Sequence, residues 1–170
     1  MTKTESRMDE GRELQLETPR FESGKPLLMA GLRGHFTAAN REGIPALWQR
    51  LATYGKVPGQ VEPVHYGLYF NMSDGIDYLA GAEVASDADL PGEFSRVNIP
   101  AQRYVVFPHR EHVSKLYNTV DTIWRKWFPG SGHEIAPAVA GAPNFFERYG
   151  EGFDPRAGMG DIAVWIPIKY

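Results

Sequence analysis

The chain has 170 residues, and its 18 basic and 21 acidic side chains give a formal net charge of −3. This length fits one domain or two small ones, and the near-neutral charge disfavours a surface adapted to nucleic acid or anionic lipid. Because the chain contains no cysteine, disulfide scaffolds, thiolate zinc sites and cysteine nucleophiles are excluded. Apolar residues make up 42% of the chain, which predicts a folded globular protein.

The N-terminal segment differs from the rest of the chain. Residues 1–20 hold nine charged side chains and no aromatic one, so they can bury little apolar surface and are predicted to form a flexible tail. They lack the order of a signal peptide, and no apolar run in the chain approaches the ~20 residues of a membrane span. We therefore expect a cytoplasmic protein without a membrane segment, in which residues 21–170 form a single domain.

From Phe21 onward the pattern of the chain repeats. Apolar residues fall at i, i+3, i+4 and i+7 from Ile44, and they do so again from Val120, 76 residues later. This spacing predicts two helices, each with one apolar face. The members of the two faces are Ile44, Leu47, Trp48 and Leu51, then Val120, Ile123, Trp124 and Trp127.

Strand-like segments surround each helix in the same order. They cover residues 26–33, 65–71 and 78–85 in the first half, then 102–108, 143–149 and 161–168 in the second. The pattern predicts an α+β fold made of a tandem duplicated β-α-β-β unit with pseudo-two-fold symmetry, with repeat 1 at about 21–90 and repeat 2 at about 91–170. Because a sheet usually carries helices on one face, we expect two antiparallel sheets, helices on the outer faces and a ligand cleft between the halves.

Strand alternation selects the candidate cleft residues. In the last strand Ile162, Val164, Ile166 and Ile168 share the face expected to meet the helix, so Trp165 points away from it. If Phe146 also faces the helix, the cleft receives Phe145, Glu147 and Tyr149 beside Trp165. The first half supplies Gly67, Tyr69, Asn71 and Gly81, and Tyr104 completes the candidate ligand-binding residues.

Glu147 is the chemically informative member of this set. A carboxylate among aromatic rings is costly to ionise, so it either raises its pKa or binds a cation. A lipophilic cation would gain Coulomb attraction from Glu147 and cation–π contact from the rings, whereas a bound electrophile would use the same carboxylate as an acid or base. An ordinary solvated strand with alternating charge also explains Glu147 next to Arg148.

Metal and serine chemistry have little support. His109 and His112 do not have the His-Glu-x-x-His spacing of a zinc helix, and no third ligand converges on them. No Gly-x-Ser-x-Gly elbow is present. We expect no metal and no cofactor.

Four segments together resemble a known family, the gyrase-inhibitor-like (GyrI-like) effector-binding domain of AraC-type and MerR-type regulators. They are YLAGAEV (78–84), IPAQRYVVF (99–107), FERY (146–149) and VWIPIK (164–169). The resemblance implies a tandem β-α-β-β pseudo-dimer with a ligand cleft. It also implies that a buried glutamate in the strand before the last recognises cationic or aromatic compounds, and this glutamate matches Glu147.

The resemblance implies three functions. The first is a stand-alone small-molecule-binding protein that captures bulky aromatic or cationic compounds. The second is a hydrolase of strained cyclopropane-bearing genotoxic compounds, with Glu147, Tyr69 and Trp165 as catalytic candidates. The third is a gyrase-interacting protein. Only 20 residues precede Phe21, too few for a helix-turn-helix, so we expect no direct binding to nucleic acid and leave a DNA-binding or gyrase partner in trans as an alternative.

Overall fold

The computed structural model describes residues 16–37, 39–40, 42–70, 75–86 and 89–170. Eight strands are formed, namely β1 (Arg20–Gly24), β2 (Leu27–Phe36), β3 (His65–Tyr69), β4 (Ile76–Glu83), β5 (Ser95–Ile99), β6 (Gln102–His109), β7 (Phe145–Tyr149) and β8 (Ile162–Ile168). Helix α1 spans Gly43–Ala52. The second helical segment consists of a 3₁₀ turn (Val113–Lys115), α2 (Leu116–Thr122), a π-helical turn (Ile123–Trp127) and α3 (Phe128–Ser131).

All eight strands belong to one antiparallel sheet with the order β1-β6-β8-β7-β3-β4-β2-β5. The expectation of two sheets is therefore wrong. The halves join because β3 pairs with β7 along their whole length, from His65 opposite Tyr149 to Tyr69 opposite Phe145. Each half contributes three adjacent strands, β3-β4-β2 from the first and β6-β8-β7 from the second, and the order of the elements along the chain is the same in both halves. The tandem duplication itself stays a prediction.

The strands at the two ends of the sheet, β1 and β5, are additions to the predicted β-α-β-β pattern. β1 precedes β2 in the chain but pairs with β6, with Arg20 opposite Val106. β5 precedes β6 but pairs with β2, with Ser95 opposite Gly31. Each half therefore completes the sheet edge of the other half.

The sheet curls strongly. β1 and β2 are six strand positions apart, which corresponds to about 29 Å on a flat sheet at ~4.8 Å per strand. Yet only residues 25–26 connect them, and three residue steps reach about 11 Å at most. Residues 100–101 make the equivalent short link from β5 to β6. The two ends of the sheet must therefore approach each other.

Curling gives the sheet two different buried faces. The concave face carries no helix and buries one apolar cluster, whose members include Met29, Tyr66, Leu79, Val97, Tyr104 and Phe146. Both helical segments lie on the convex face. There, α1 packs on the first half through Leu47 and Leu51, and the second helical segment packs on the second half through Leu116, Val120 and Ile123. The central pair β3–β7 lies between the two helix-covered areas.

Part of the predicted flexible tail, residues 16–20, lies within the described residues and contacts the domain. Residues 1–15 lie outside the described residues. Leu16 packs against the convex cluster of the second half, the Glu17 carboxylate accepts two hydrogen bonds from Nε of Arg110 at 2.7 and 2.8 Å, and Arg20 begins β1. The predicted boundary at residue 20 is therefore too late. No helix among the described residues has the length and apolar character needed to cross a membrane.

Candidate functional site

Glu147 lies at the centre of the sheet, on the convex side. It is the third residue of β7 and lies opposite Gly67, the third residue of β3, on one side and opposite Val164 of β8 on the other. Val164 belongs to the cluster beneath the second helical segment, so Glu147 shares the helix side of the sheet. Its side chain is only 2% exposed.

Three tyrosine hydroxyls donate hydrogen bonds to the Glu147 carboxylate. Tyr78 and Tyr149 each donate to Oε1 at 2.7 Å, and Tyr69 donates to Oε2 at 3.0 Å. These tyrosines come from three adjacent strands, β4, β7 and β3. No Lys, Arg or His among the described residues forms an ion pair with Glu147. The site is therefore a buried carboxylate surrounded by neutral donors.

Burial and hydrogen bonding act on the Glu147 pKa in opposite directions. Loss of hydration raises the pKa of this carboxyl above its ordinary value, and the three tyrosine hydrogen bonds offset part of that rise because they stabilise the ionised form. The pKa values of Tyr78 and Tyr149 lie well above the usual range, first because both rings are buried and second because a phenolate would be repelled by Glu147. Both phenols therefore remain donors.

Gly67 provides the space for this network. A Cβ atom at position 67 would overlap the Tyr78 hydroxyl and would lie 2.5 Å from Glu147 Oε1 and 2.7 Å from Tyr78 Cζ. Any side chain on this residue would therefore displace the carboxylate, the phenol or both.

Aromatic rings cover the carboxylate. Trp48 of α1 donates from Nε1 to the Tyr78 hydroxyl at 3.0 Å and packs edge-on against Tyr149, with ring centroids 5.6 Å apart. Tyr69 stacks on Phe145 with centroids 4.5 Å apart and an interplanar angle of 7°. The Trp124 ring contacts Phe145 from the second helical segment at 5.7 Å. Both helical segments thus contribute a tryptophan beside the β3–β7 pair.

The structure separates the predicted cleft residues into two groups. Gly67, Tyr69, Phe145 and Tyr149 lie on the convex side with Glu147. Trp165, Tyr104 and Gly81 lie on the concave side, where Trp165 pairs with Phe146 across the strands and Tyr104 contacts both rings. Placing Trp165 beside Glu147 was wrong because Phe146, and not Phe145, points away from the helices. Asn71 lies outside the described residues.

Sequence reasoning missed Tyr78 and Trp48. Tyr78 lies on the same side of β4 as Ala80 and Ala82, which pack beneath α1, whereas the neighbouring Leu79 belongs to the concave cluster. Trp48 was predicted only as a member of the apolar face of α1. Its indole N–H gave a usable signal, since a buried tryptophan N–H normally requires an acceptor.

The histidine pair has a structural role. His109 is 3% exposed, and its Nδ1 lies 2.8 Å from Thr119 Oγ1 while its Nε2 lies 2.9 Å from the carbonyl oxygen of His112. Both ring nitrogens are therefore engaged by the protein. Among the described residues, no three His, Asp or Glu side chains come together as a metal site.

Glu147 lines neither of two cavities that open on the described part of the molecule. One, of about 240 Å³, lies beside Trp124 and the segment 135–144, and the other, of about 220 Å³, lies on the concave face. Glu147 is instead covered by Trp48 and Tyr69, both of which are partly exposed. A bulky ligand would have to move these two rings to reach the carboxylate.

The curled eight-stranded sheet with two covering helical segments is an α+β fold that solved structures share. The chain belongs to the GyrI-like family, described as the GyrI-like small molecule binding domain, whose profile matches residues 17–169.

Similar proteins include regulators. The transcriptional regulator BrlR of Pseudomonas aeruginosa is 28% identical over 141 residues, which cover 79% of this chain and 49% of BrlR. The chain thus spans about half the length of this curated relative. Two solved structures share the fold. SAV2435 bound to tetraphenylphosphonium has a TM-score of 0.67 and 17% identity over 90% of this chain and 94% of SAV2435. The EcmrR C-terminal domain has a TM-score of 0.65 and 16% identity over 91% of this chain and 99% of that domain.

Proposed function

We propose that this protein binds bulky aromatic, lipophilic cations at Glu147, at the junction of its two halves. The observation that carries the proposal is a carboxylate 2% exposed, with three tyrosine donors and no cationic partner among the described residues. Burying a carboxylate without a counter-charge is costly, and a ligand that supplies the missing positive charge recovers part of that cost.

The aromatic cover suits such a ligand. A unit charge 4 Å from the carboxylate gains about 4 kcal/mol at an effective dielectric constant of ~20, before its own desolvation is subtracted. The rings of Trp48, Tyr69 and Tyr149 surround the carboxylate and offer cation–π contact of about 0.5–2 kcal/mol each. In this arrangement Glu147 sets the charge preference and the rings accept the flat apolar groups of the ligand.

One related protein supports the ligand class. SAV2435, which shares the fold over 90% of this chain, was solved with tetraphenylphosphonium bound. Tetraphenylphosphonium is a cation with four phenyl groups and no hydrogen-bond donor, so an aromatic pocket with a carboxylate matches its chemistry.

The test is isothermal titration calorimetry with two probes of the same shape and opposite charge, tetraphenylphosphonium and tetraphenylborate. Glu147→Gln keeps the size of the side chain and removes its charge, and Glu151→Gln removes a charge from an exposed loop as the matched control. We expect Glu147→Gln to weaken tetraphenylphosphonium by at least about tenfold, which is ~1.4 kcal/mol, while Glu151→Gln changes it less than about twofold. Unchanged tetraphenylphosphonium affinity in Glu147→Gln, or stronger binding of the borate by wild type, contradicts the proposal.

A second experiment, with wild type and the same Glu147→Gln variant, separates binding from hydrolysis. A cyclopropane-bearing electrophile is incubated with wild type and Glu147→Gln, and the products are analysed by mass spectrometry. Turnover by wild type that is lost in the variant would assign the carboxylate a catalytic role instead of a purely binding one.

A further inference from the structure

One of the two cavities described above lies on the concave face, away from the Glu147 site. It has a volume of about 220 Å³, and its apolar wall is formed by Tyr66, Tyr104, Phe146 and Trp165. The rings pack against one another, with the centroids of Phe146 and Trp165 stacked at 5.7 Å and Tyr104 edge-on to Trp165 at 5.3 Å. The sheet itself separates this cavity from Glu147.

Two side chains that line this cavity have polar groups that the described residues leave unmet, an indole N–H without an acceptor and a guanidinium without a counter-charge. The indole Nε1 of Trp165 is buried and has no hydrogen-bond partner among the described residues. Arg148 also lines the cavity, where it contacts the Tyr66 hydroxyl, and no carboxylate lies within ion-pair distance of it in the described part of the chain. A buried donor without an acceptor is costly, and a half-buried guanidinium offers five N–H groups in a planar fork.

The carboxylates at the cavity do not supply the missing acceptors. Glu83 lies 3.6 Å from Lys25, and Glu22 lies 2.8 Å from Arg20. Glu62 is exposed at the rim. Among the lining groups, Arg148 is therefore the partly buried charge that lacks a counter-charge.

We infer that the concave cavity binds a planar aromatic carboxylate of one or two rings. The carboxylate of the ligand would accept from the Arg148 guanidinium in the two-pronged geometry that suits this pair, and the ring would lie against Trp165 and Phe146. The volume is below the ~300–1,000 Å³ of sites for drug-sized ligands, which limits the ligand to this small size. Neighbouring residues 147 and 148 of β7 would thus serve opposite faces of the sheet, with ligands of opposite charge.

The test is a ¹⁵N NMR titration that follows the four tryptophan indole signals, with 2-naphthoate as the probe and neutral 2-naphthamide as its isostere. The signals are assigned by Trp→Phe variants at positions 48, 124, 127 and 165. If Trp165→Phe fails to fold, the other three assignments identify its signal. We expect 2-naphthoate to move the Trp165 signal in wild type and in Glu147→Gln alike, so the outcome is independent of the Glu147 proposal.

A variant of Arg148 tests whether its positive charge contributes to binding the carboxylate of the ligand. Arg148→Gln should weaken 2-naphthoate by at least about tenfold, and Arg156→Gln, at an exposed loop position, should leave its affinity unchanged. The inference is overturned if 2-naphthamide binds as tightly as 2-naphthoate, if Arg148→Gln binds like wild type, or if the Trp165 signal does not move.

Discussion

Gly67→Ala should destabilise the folded protein because the Glu147 site has no room for a methyl group at this position. The added Cβ would overlap the Tyr78 hydroxyl and would lie 2.5 Å from Glu147 Oε1, closer than real Cβ atoms approach other heavy atoms. The backbone offers little relief, because Gly67 is paired with Ala80 of β4 on one side and with Glu147 of β7 on the other. Either the carboxylate or the phenol must therefore move.

The expected loss follows from three contributions. Overpacking of a buried site costs about 1–3 kcal/mol. A displaced hydrogen bond to the charged carboxylate costs about 1.5–3 kcal/mol. Replacing glycine by alanine within a strand stabilises the folded state by about 0.5–1 kcal/mol and so offsets part of this loss. The net loss in the free energy of unfolding should therefore be about 1.5–5.5 kcal/mol.

Urea denaturation of matched variants measures this loss. Gly92→Ala is the control because its Cβ would meet nothing within 4 Å, and its effect should stay within about 0.5 kcal/mol. Tyr78→Phe removes the atom closest to the new methyl group, so Gly67→Ala should cost at least about 1 kcal/mol less in that background. A loss below about 0.5 kcal/mol for Gly67→Ala alone, or strict additivity in the double variant, would refute the steric reasoning.

Two further predictions concern the carboxylate and its cover. Because the pKa of Glu147 in the folded protein is raised above its ordinary value of 4.5, its contribution to stability is full below pH 4.5 and falls as the pH rises through the folded pKa. The stability of Glu147→Gln relative to wild type should therefore increase across that window in urea titrations, and a pH-independent difference would contradict the raised pKa. Trp48→Phe removes the indole donor to the Tyr78 hydroxyl, and Trp124→Phe is the matched ring replacement on the other helical segment. Trp48→Phe should lower the free energy of unfolding by about 0.5–1.5 kcal/mol more than Trp124→Phe does, as measured by urea denaturation. Equal costs for the two variants would show that the indole hydrogen bond contributes nothing.

Periodicity predicted the helices and six strands because each has a strong local pattern. The apolar residues of α1 and of the second helical segment recur at helical spacing, and both helical segments pack these residues against the sheet. β1 was missed because its apolar residue, Phe21, is 43% exposed, so the strand carries no buried alternation. β5 does carry a signal, since Val97 and Ile99 are two residues apart and both buried. Its pairing with β2 across the sheet is non-local, and a local pattern does not reveal it.

The position of Glu147 was predictable, but the side of the sheet on which its neighbours lie was not. In an antiparallel sheet with one wet face, alternation of apolar and polar residues shows which face is buried. Here both faces are buried, so Phe145 and Phe146 are 1% and 2% exposed although they point in opposite directions. If the alternation along a strand is assigned one residue out of step, every side chain is placed on the wrong face. For this reason Trp165 and Tyr104 were assigned to the wrong side of the sheet.

The two halves contribute unequally to the Glu147 site. Tyr69 and Tyr149 occupy the fifth position of β3 and β7, and both donate to the same carboxylate. The third positions differ, with Gly67 opposite Glu147. Glutamates at both positions would place two buried carboxylates on directly paired residues, with Cα atoms about 5 Å apart, and repulsion would keep one of them protonated. Glycine on one strand leaves a single carboxylate with just enough space for the Tyr78 hydroxyl beside it, and one buried negative charge is what the proposed binding of a singly charged cation requires.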